Sequence, residues 1–281
     1  MKKNPALDAA VARLRDAGVE SPRLVAELLL AHVEGVTRAG LLARDEVDAA
    51  GFEPLVRRAA AREPVAYLTG RTEAYGLALD VEPGVFIPRP CTDTLIDLSL
   101  QSLPPGEDGE LHVVDVGCGS GNIAVALAYH LQSSVRGKDR RLRTGDRGLH
   151  VTAVDIIQPT VARRNAARHG VRVDFVRGDL LTWTRARFDV IVSNPPYVGS
   201  PADVAPEVRY EPDAALYGGL DVIRRLVAQA PSRLRPGGRL LLEFGFDQAE
   251  DVRELLRGSF RDVEIFPDLE GIPRFARAVC G

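Results

Sequence analysis

Only three cysteines, Cys91, Cys118 and Cys280, and a single tryptophan, Trp183, occur among 281 residues. The cysteines are scattered, odd in number and without metal-ligand spacing. That argues against a disulfide framework and a metal centre, and for a reduced, cytoplasmic setting. No apolar run is long enough to span a bilayer, and no secretory signal opens the chain. Asp8 and Asp16 in the amphipathic opening suit a folded helix better than a targeting peptide. An excess of positive charge is also missing: 36 basic against 39 acidic side chains leave a formal charge of −3. Such a balance gives no electrostatic reason to expect general nucleic-acid binding. What is present is an ordinary globular composition, 45% hydrophobic and 27% charged. It suffices for a sizeable core in one large or two modest domains.

The first 72 residues carry helical periodicity. Pro5 and Pro22 each follow a polar residue, Asn4 and Ser21, in the order expected of a cap and a first helical turn. Leu24, Val25, Leu28 and Leu29 form an apolar stripe at helical spacing, and a further helix is expected over Phe52 to Arg62. A small helical bundle is predicted. Residues 73–92 change character: apolar alternation around Pro83-Gly84 predicts a β-hairpin. The following "IPRP" (Ile87 to Pro90) must be extended, because a residue before proline avoids the helical region. This stretch reads as a linker between domains. From residue 93 to 281 strands and helices alternate. Strands are expected in "LHVVDVG", "HVTAVD", "VRVDFV", "FDVIVS", "GRLLLEFG" and "DVEIF", and helices from near Gly121, Pro159, Leu220 and Gln248. The predicted fold is α/β, a mainly parallel sheet covered on both faces. The arginine-rich stretch from Leu131 to Leu149 reads as an inserted, solvated loop.

"VVDVGCGSGNIAVALA" places Gly117, Gly119 and Gly121 between a strand and a helix. Glycine permits the tight turn and a close backbone approach to a ligand, and the helix start offers free N–H groups. Dinucleotide sites prefer G-x-G-x-x-G; the spacing here, with Asp115 on the strand, suits S-adenosylmethionine better. The next strand ends at Asp155, whose carboxylate can accept both ribose hydroxyls of an adenosyl group. The third leads to Asp179, placed to accept from an adenine amino group. The fourth ends in Asn194-Pro195-Pro196-Tyr197. Two prolines remove two donors and restrict the backbone. Their carbonyls and the Asn194 side-chain oxygen can then face one way, matching the two hydrogens of a planar –NH₂ group, with Tyr197 packed against its face. Held so, the nitrogen tolerates the positive charge that develops as it attacks a sulfonium methyl.

With these motifs, the chain resembles the HemK-type protein-glutamine methyltransferases that act in translation termination. The resemblance spans nearly the whole chain through "REPVAYLTG", "GVFIPRP", "DVGCGSGNIAVALA", "AVDI", "NPPYV", "PEVRYEP" and "LRPGGRLLLEFGFDQ". It implies a helical substrate-gripping domain, a hairpin linker and a Rossmann-like methyltransferase domain. The implied substrate is the glutamine of the Gly-Gly-Gln loop of peptide chain release factors. By position, Gly117, Cys118, Gly119, Ser120, Gly121, Asp155, Asp179, Leu180 and Asn194 would border S-adenosylmethionine. Asn194, Pro195, Pro196 and Tyr197 would hold the glutamine amide and carry the catalysis. Cys91-Thr92-Asp93 departs from the usual Glu-Thr-Glu, Leu180 stands where an aromatic is common, and "EGIPRFARA" replaces a Gly-Arg-Asp-Arg run.

Three other readings use the same residues. A ribosomal protein could supply the glutamine. A nucleic-acid amino methyltransferase would share the NPPY motif, but calls for a basic groove or base-flipping aromatics. A non-enzymatic binding module would not need both an intact cofactor turn and NPPY.

Overall fold

The computed structural model describes residues 2–48, 50–104, 110–135 and 148–281. The chain forms two compact units. The first holds the chain up to Arg71 together with Val81–Gly84 and Val204–Glu211; the second holds Thr72–Asp80, Val85–Asp203 and Pro212–Gly281. The linker expected over 73–92 is therefore shared between the units. The methyltransferase segment expected from 93 onward likewise lends residues 204–211 to the helical unit, because these short stretches pack by tertiary contact rather than by sequence order.

In the helical unit, α1 (Lys3–Asp16), α2 (Pro22–Val33), α3 (Arg38–Leu42), α4 (Phe52–Ala60) and α5 (Val65–Thr69) surround one apolar core. Leu7 and Leu14 of α1, Leu29 and Leu30 of α2, Leu41 and Val56 are all completely buried. The stripe expected on α2 splits. Val25 and Leu29 face inward with Ala26 and Leu30, whereas Leu24 and Leu28 are exposed. Each residue is rotated by about 100° from its neighbour, so the inward face takes two adjacent positions per turn, Val25/Ala26 and Leu29/Leu30, and the residues just before them, Leu24 and Leu28, turn outward. The expected caps also differ. Asn4 lies inside α1, and Ser21 precedes Pro22 with a positive φ of 48° and no capping bond. Buried Glu27 accepts from Arg23 at 2.7 Å and Arg38 at 2.8 Å, joining α2 to α3. The hydrogen bond from Arg23 is the main cause that holds its carboxyl below the usual range. Glu207 reaches Arg62 at 2.6 Å, and the Tyr210 hydroxyl donates to the Ala61 carbonyl at 2.8 Å.

The second unit opens with the hairpin of β1 (Arg71–Ala74) and β2 (Leu77–Asp80). Its two-residue turn is Tyr75-Gly76, with φ of 50° and 70°, and not Pro83-Gly84. Paired positive φ values match the twist of a tight hairpin, which proline cannot supply. After α6 (Thr92–Gln101) come β3 (Glu110–Val116), α7 (Asn122–Val135), β4 (Gly148–Asp155), α8 (Thr160–Arg168), β5 (Asp174–Arg177) and β6 (Phe188–Ser193). Then follow α9 (Asp213–Leu216), α10 (Gly219–Gln229), β7 (Leu234–Glu243), α11 (Ala249–Arg257), β8 (Arg261–Pro267) and β9 (Pro273–Val279). The stretch expected as a loop from Leu131 begins as the last turn of α7 and ends as the start of β4; 136–147 lie outside the described residues.

Seven strands order as β5-β4-β3-β6-β7-β9-β8. The first five are parallel, and β9 enters antiparallel to both β7 and β8. Central strands are apolar on both faces, as helices on both sides demand. Val114, Val116 and Ile191 face the core with α10 and α11; Val113, Val190 and Val192 face the core with α6 and α7. The expected α/β fold with its mostly parallel sheet and small antiparallel hairpin is thus present.

Asn165, fully buried on α8, ties the hairpin to the turn after β3. Its oxygen accepts from Asp80 N at 2.7 Å, and its nitrogen donates to the carbonyls of Asp80 at 3.0 Å and Ser120 at 2.9 Å. Asn165→Ala is expected to lower unfolding free energy in urea by at least the about 1–3 kcal/mol of one buried group left without a partner. An unchanged midpoint would show that the bridge is dispensable.

Candidate active site

The order of the sheet reverses between β3 and β6, and ligands of open α/β sheets bind at the carboxyl ends of the strands at such a point. The turn after β3 fills this position. Gly117, Gly119 and Gly121 have φ of 80°, 52° and 82°. A Cβ on Gly121 would come 2.8 Å from that of Ala162 on α8, so the third glycine lets helix and turn close on each other. Gly117 N and Cys118 N both donate to the Val154 carbonyl, at 2.8 and 3.1 Å, which pins the turn to β4. Cys118 and Ser120 are buried within it, and burial pushes the Cys118 thiol well above its ordinary pKa.

Asp155 ends β4 beside the turn. One carboxylate oxygen accepts from Gly119 N at 2.8 Å and the other from Ile157 N at 3.1 Å. A carboxylate has about four acceptor positions, so each oxygen keeps capacity for another donor. Ile156 and Ile157, directly after it, are exposed. Asp179 follows β5 and is ion-paired with Arg225 of α10, an engagement that sequence gave no sign of. Leu180 beside it is half-buried, with φ of 51°.

Asn194, Pro195, Pro196 and Tyr197 follow β6. The Ser193 hydroxyl donates to the Val116 carbonyl at 2.6 Å, locking the ends of β6 and β3 together. The Asn194 carbonyl oxygen lies 4.0 Å from where a Cβ of Gly117 would stand. A Cβ on Gly218 would overlap the Pro196 carbonyl oxygen, so glycine is needed where α10 approaches the prolines. The Asn194 amide nitrogen donates to the Thr92 hydroxyl at 3.1 Å. Tyr197 is held at both ends: its hydroxyl donates to Glu243 at 3.1 Å, and its carbonyl accepts from Gln248 at 2.9 Å.

Four of these partners, Phe86, Thr92, Glu243 and Gln248, were not foreseen. The segment expected to be a plain connector borders the site, with Phe86 3.8 Å from a Cβ on Gly119 and Thr92 bonded to Asn194. One signal could have found Glu243: a carboxylate closing the apolar run "RLLLE" at a strand end. The fold also gathers Glu110, His112 and His150 at the opposite ends of β3 and β4, a tertiary cluster that sequence spacing does not show; each imidazole faces one oxygen of Glu110, at 3.1 and 3.6 Å.

Two family models match the chain: the PrmC N-terminal domain over residues 5–70 and the methyltransferase small domain over 77–210. A release factor glutamine methyltransferase of Deinococcus radiodurans is 39% identical across 99% of this chain and 98% of its own length. One from Mycolicibacterium smegmatis is 40% identical across 97% and 96%. The chain belongs to the release factor glutamine methyltransferase family. Among solved structures, a Thermus thermophilus 16S rRNA N2 G1207 methyltransferase with AdoMet and guanosine shares the fold. Its TM-score is 0.51 at 22% identity, over 75% of this chain and 50% of that one. A release-factor-specific protein-(glutamine-N5) methyltransferase from Alicyclobacillus acidocaldarius aligns at 29% identity, with a TM-score of 0.41, over 72% and 98%.

In this family member the carboxyl beneath the glycine turn is unusual. Asp115 is fully buried; one oxygen accepts from Ala124 N at 3.1 Å and the other has no partner among the described residues. Desolvation, opposed by that hydrogen bond and reinforced by the charge of Asp155, pushes its pKa up to about 7 from 3.8. Because the folded pKa is the higher one, folding takes up a proton between these values. Stability attributable to this group is greatest below about pH 4, falls as pH rises to about 7, and is then constant. The stability of Asp115→Asn relative to the parent protein should therefore rise from pH 4 to 7 and level off above, as measured by thermal or urea unfolding. A pH-independent difference would remove Asp115 as the titrating group.

Proposed function

We propose that the chain transfers the methyl group of S-adenosylmethionine to the side-chain amide nitrogen of the glutamine in the Gly-Gly-Gln loop of peptide chain release factors. The observation that carries this reading is the orientation of Asn194. Its –NH₂ gives one hydrogen to Thr92, so its side-chain oxygen is the acceptor left to meet a substrate, in the turn after β6 and one strand from the glycine turn. An acceptor presented to the incoming group selects for a donor such as a primary amide. The full-length similarity to enzymes named for this activity supports the choice of glutamine and of release factors.

The residues present fit the cofactor. Three glycines with positive φ leave the turn without side chains toward a ligand, and Asp155 retains acceptor positions for two ribose hydroxyls. Ile156 and Leu180, on neighbouring strand ends, offer apolar surface to an adenine ring. Asp179, ion-paired with Arg225, is the acceptor assigned to the adenine amino group in this reading. When bound, S-adenosylmethionine supplies an electrophilic methyl group on a sulfonium that leaves as a neutral thioether.

The protein must overcome the poor nucleophilicity of an amide nitrogen, whose lone pair is delocalised. Asn194 Oδ1 and the proline carbonyls hold both amide hydrogens. They stabilise the positive charge that develops as the N–C bond forms, and the nitrogen then releases one proton to solvent. Tyr197, braced by Glu243 and Gln248, flanks the planar group. The helical unit, matched by the PrmC N-terminal domain, grips the release factor.

Asn194→Ala should leave S-adenosylmethionine affinity near the parent value by calorimetry, while methyl transfer to purified release factor falls about 10²–10³-fold, as for loss of one preorganised contact. Changing the acceptor glutamine should abolish labelling. Transfer at the parent rate by Asn194→Ala would refute the role of the motif. Label on a ribosomal protein or DNA, with none on release factors, would refute the substrate.

A further inference from the structure

A buried carboxylate underlies the acceptor rim. Glu243, at the end of β7, has no exposed surface. One oxygen accepts from the Thr92 hydroxyl at 2.8 Å, and the other from the Tyr197 hydroxyl at 3.1 Å, with Cys91 Sγ at 3.6 Å from that same oxygen. Thr92 is itself fully buried and accepts from Asn194 Nδ2 at 3.1 Å. A carboxylate can only accept, and a threonine hydroxyl has one proton to give. With that proton directed to Glu243, Thr92 meets Asn194 as an acceptor. Asn194 must then turn its –NH₂ inward and its oxygen outward. The direction of donation in this chain of three residues decides which end of the Asn194 amide faces a substrate.

We propose that Glu243 is a positioning residue which, acting through Thr92, sets the amide orientation of Asn194 and, through Tyr197, the opposite wall of the substrate slot. The inference rests on the role given to Asn194 above. Neither Glu243 nor Thr92 needs to touch substrate or cofactor for this. A buried charge is costly unless paired, so a carboxylate in this place asks for a reason. Its surroundings supply hydroxyl donors from two elements of the site and, more distantly, the positive charge of Arg274. Desolvation is the largest influence on Glu243 and raises its pKa; the bonds from Thr92, Tyr197 and Cys91 and the charge of Arg274 oppose it. Protonation at falling pH would let Glu243 donate, removing the constraint on Thr92 and freeing the Asn194 amide to reverse.

The test uses Thr92→Val, Thr92→Ser, Glu243→Gln and, as reference, Asn194→Ala in the full-length enzyme, with purified release factor. Thr92→Val keeps the shape but loses the relay hydroxyl; Glu243→Gln keeps the shape but introduces a donor. Each should lower kcat about 10–100-fold, the range found when a partner that orients a direct ligand is lost. S-adenosylmethionine affinity should stay close to the parent value; Thr92→Val, which takes a donor from buried Glu243, should melt lower and is assayed well below its transition. Thr92→Ser should restore most of the rate lost in Thr92→Val. The double variant Thr92→Val/Glu243→Gln should be no slower than the slower single variant, because both break one chain. The acidic limb of the parent kcat profile should be absent in Glu243→Gln. If Asn194→Ala is inactive while Thr92→Val and Glu243→Gln turn over at the parent rate, the relay is refuted and the role of Asn194 stands. If Asn194→Ala is itself fully active, the reading beneath the relay fails with it. If Thr92→Ser is as slow as Thr92→Val, the hydroxyl is not what matters, and the relay is again refuted.

Discussion

The parallel pairing of β3 with β6 holds the site together, because it brings two sequence-distant turns side by side. Val113, Val114 and Asp115 align with Val190, Ile191 and Val192. The strands therefore end at the same level, and the Ser193 hydroxyl closes the gap to the Val116 carbonyl at 2.6 Å. A slip of one residue would turn the buried valines of β6 to the opposite face. The glycine turn would then no longer stand next to Asn194. Register here is set by hydrophobic burial on both faces of the sheet, so the same force that folds the unit aligns its chemistry.

Around that pairing the polar groups are arranged as supports. Asn165 bridges the hairpin and the turn, Asp155 holds Gly119, and Gln248 and Glu243 hold Tyr197. Each is buried or half-buried and hydrogen-bonded, which is the condition for keeping polar atoms away from water. Exceptions beside the glycine turn are the second Asp115 oxygen and the Ser120 hydroxyl, which have no partner among the described residues. A carboxyl without full pairing shifts toward its neutral form, in line with the rise of its pKa to about 7. Supports of this kind matter for methyl transfer, since an amide nitrogen reacts only when geometry and acceptors are already in place.

Much of this was legible before any coordinates. The six expected strands all form, and helices begin at Asn122, Thr160, Gly219 and Ala249, each within one residue of the expected starts. Local signals suffice there, since apolar runs bounded by glycine and proline define strands and turns. β9 was missed because arginines at 274 and 277 interrupt its apolar alternation; it is a strand because β7 and β8 both bind it. The five-residue helices α3 and α5 are too short for periodicity to show. The hairpin turn was misplaced to a Pro-Gly pair because Tyr75 carries no sequence mark of its positive φ.

By itself, then, the sequence determined the family, the α/β alternation, the glycine turn and the acceptor motif after β6, because these depend on residue types at short spacing. Tertiary structure decided which distant groups stand behind them. Thr92 and Glu243 are separated by 151 residues and meet at 2.8 Å only because α6 packs beside the end of β7. Asp179, read as an open acceptor, finds Arg225 across to α10. Residues 204–211 leave the sheet unit for the helical one. Short-range patterns report backbone preference and burial, whereas the partner of a buried polar group is chosen by chain topology, which no local window contains.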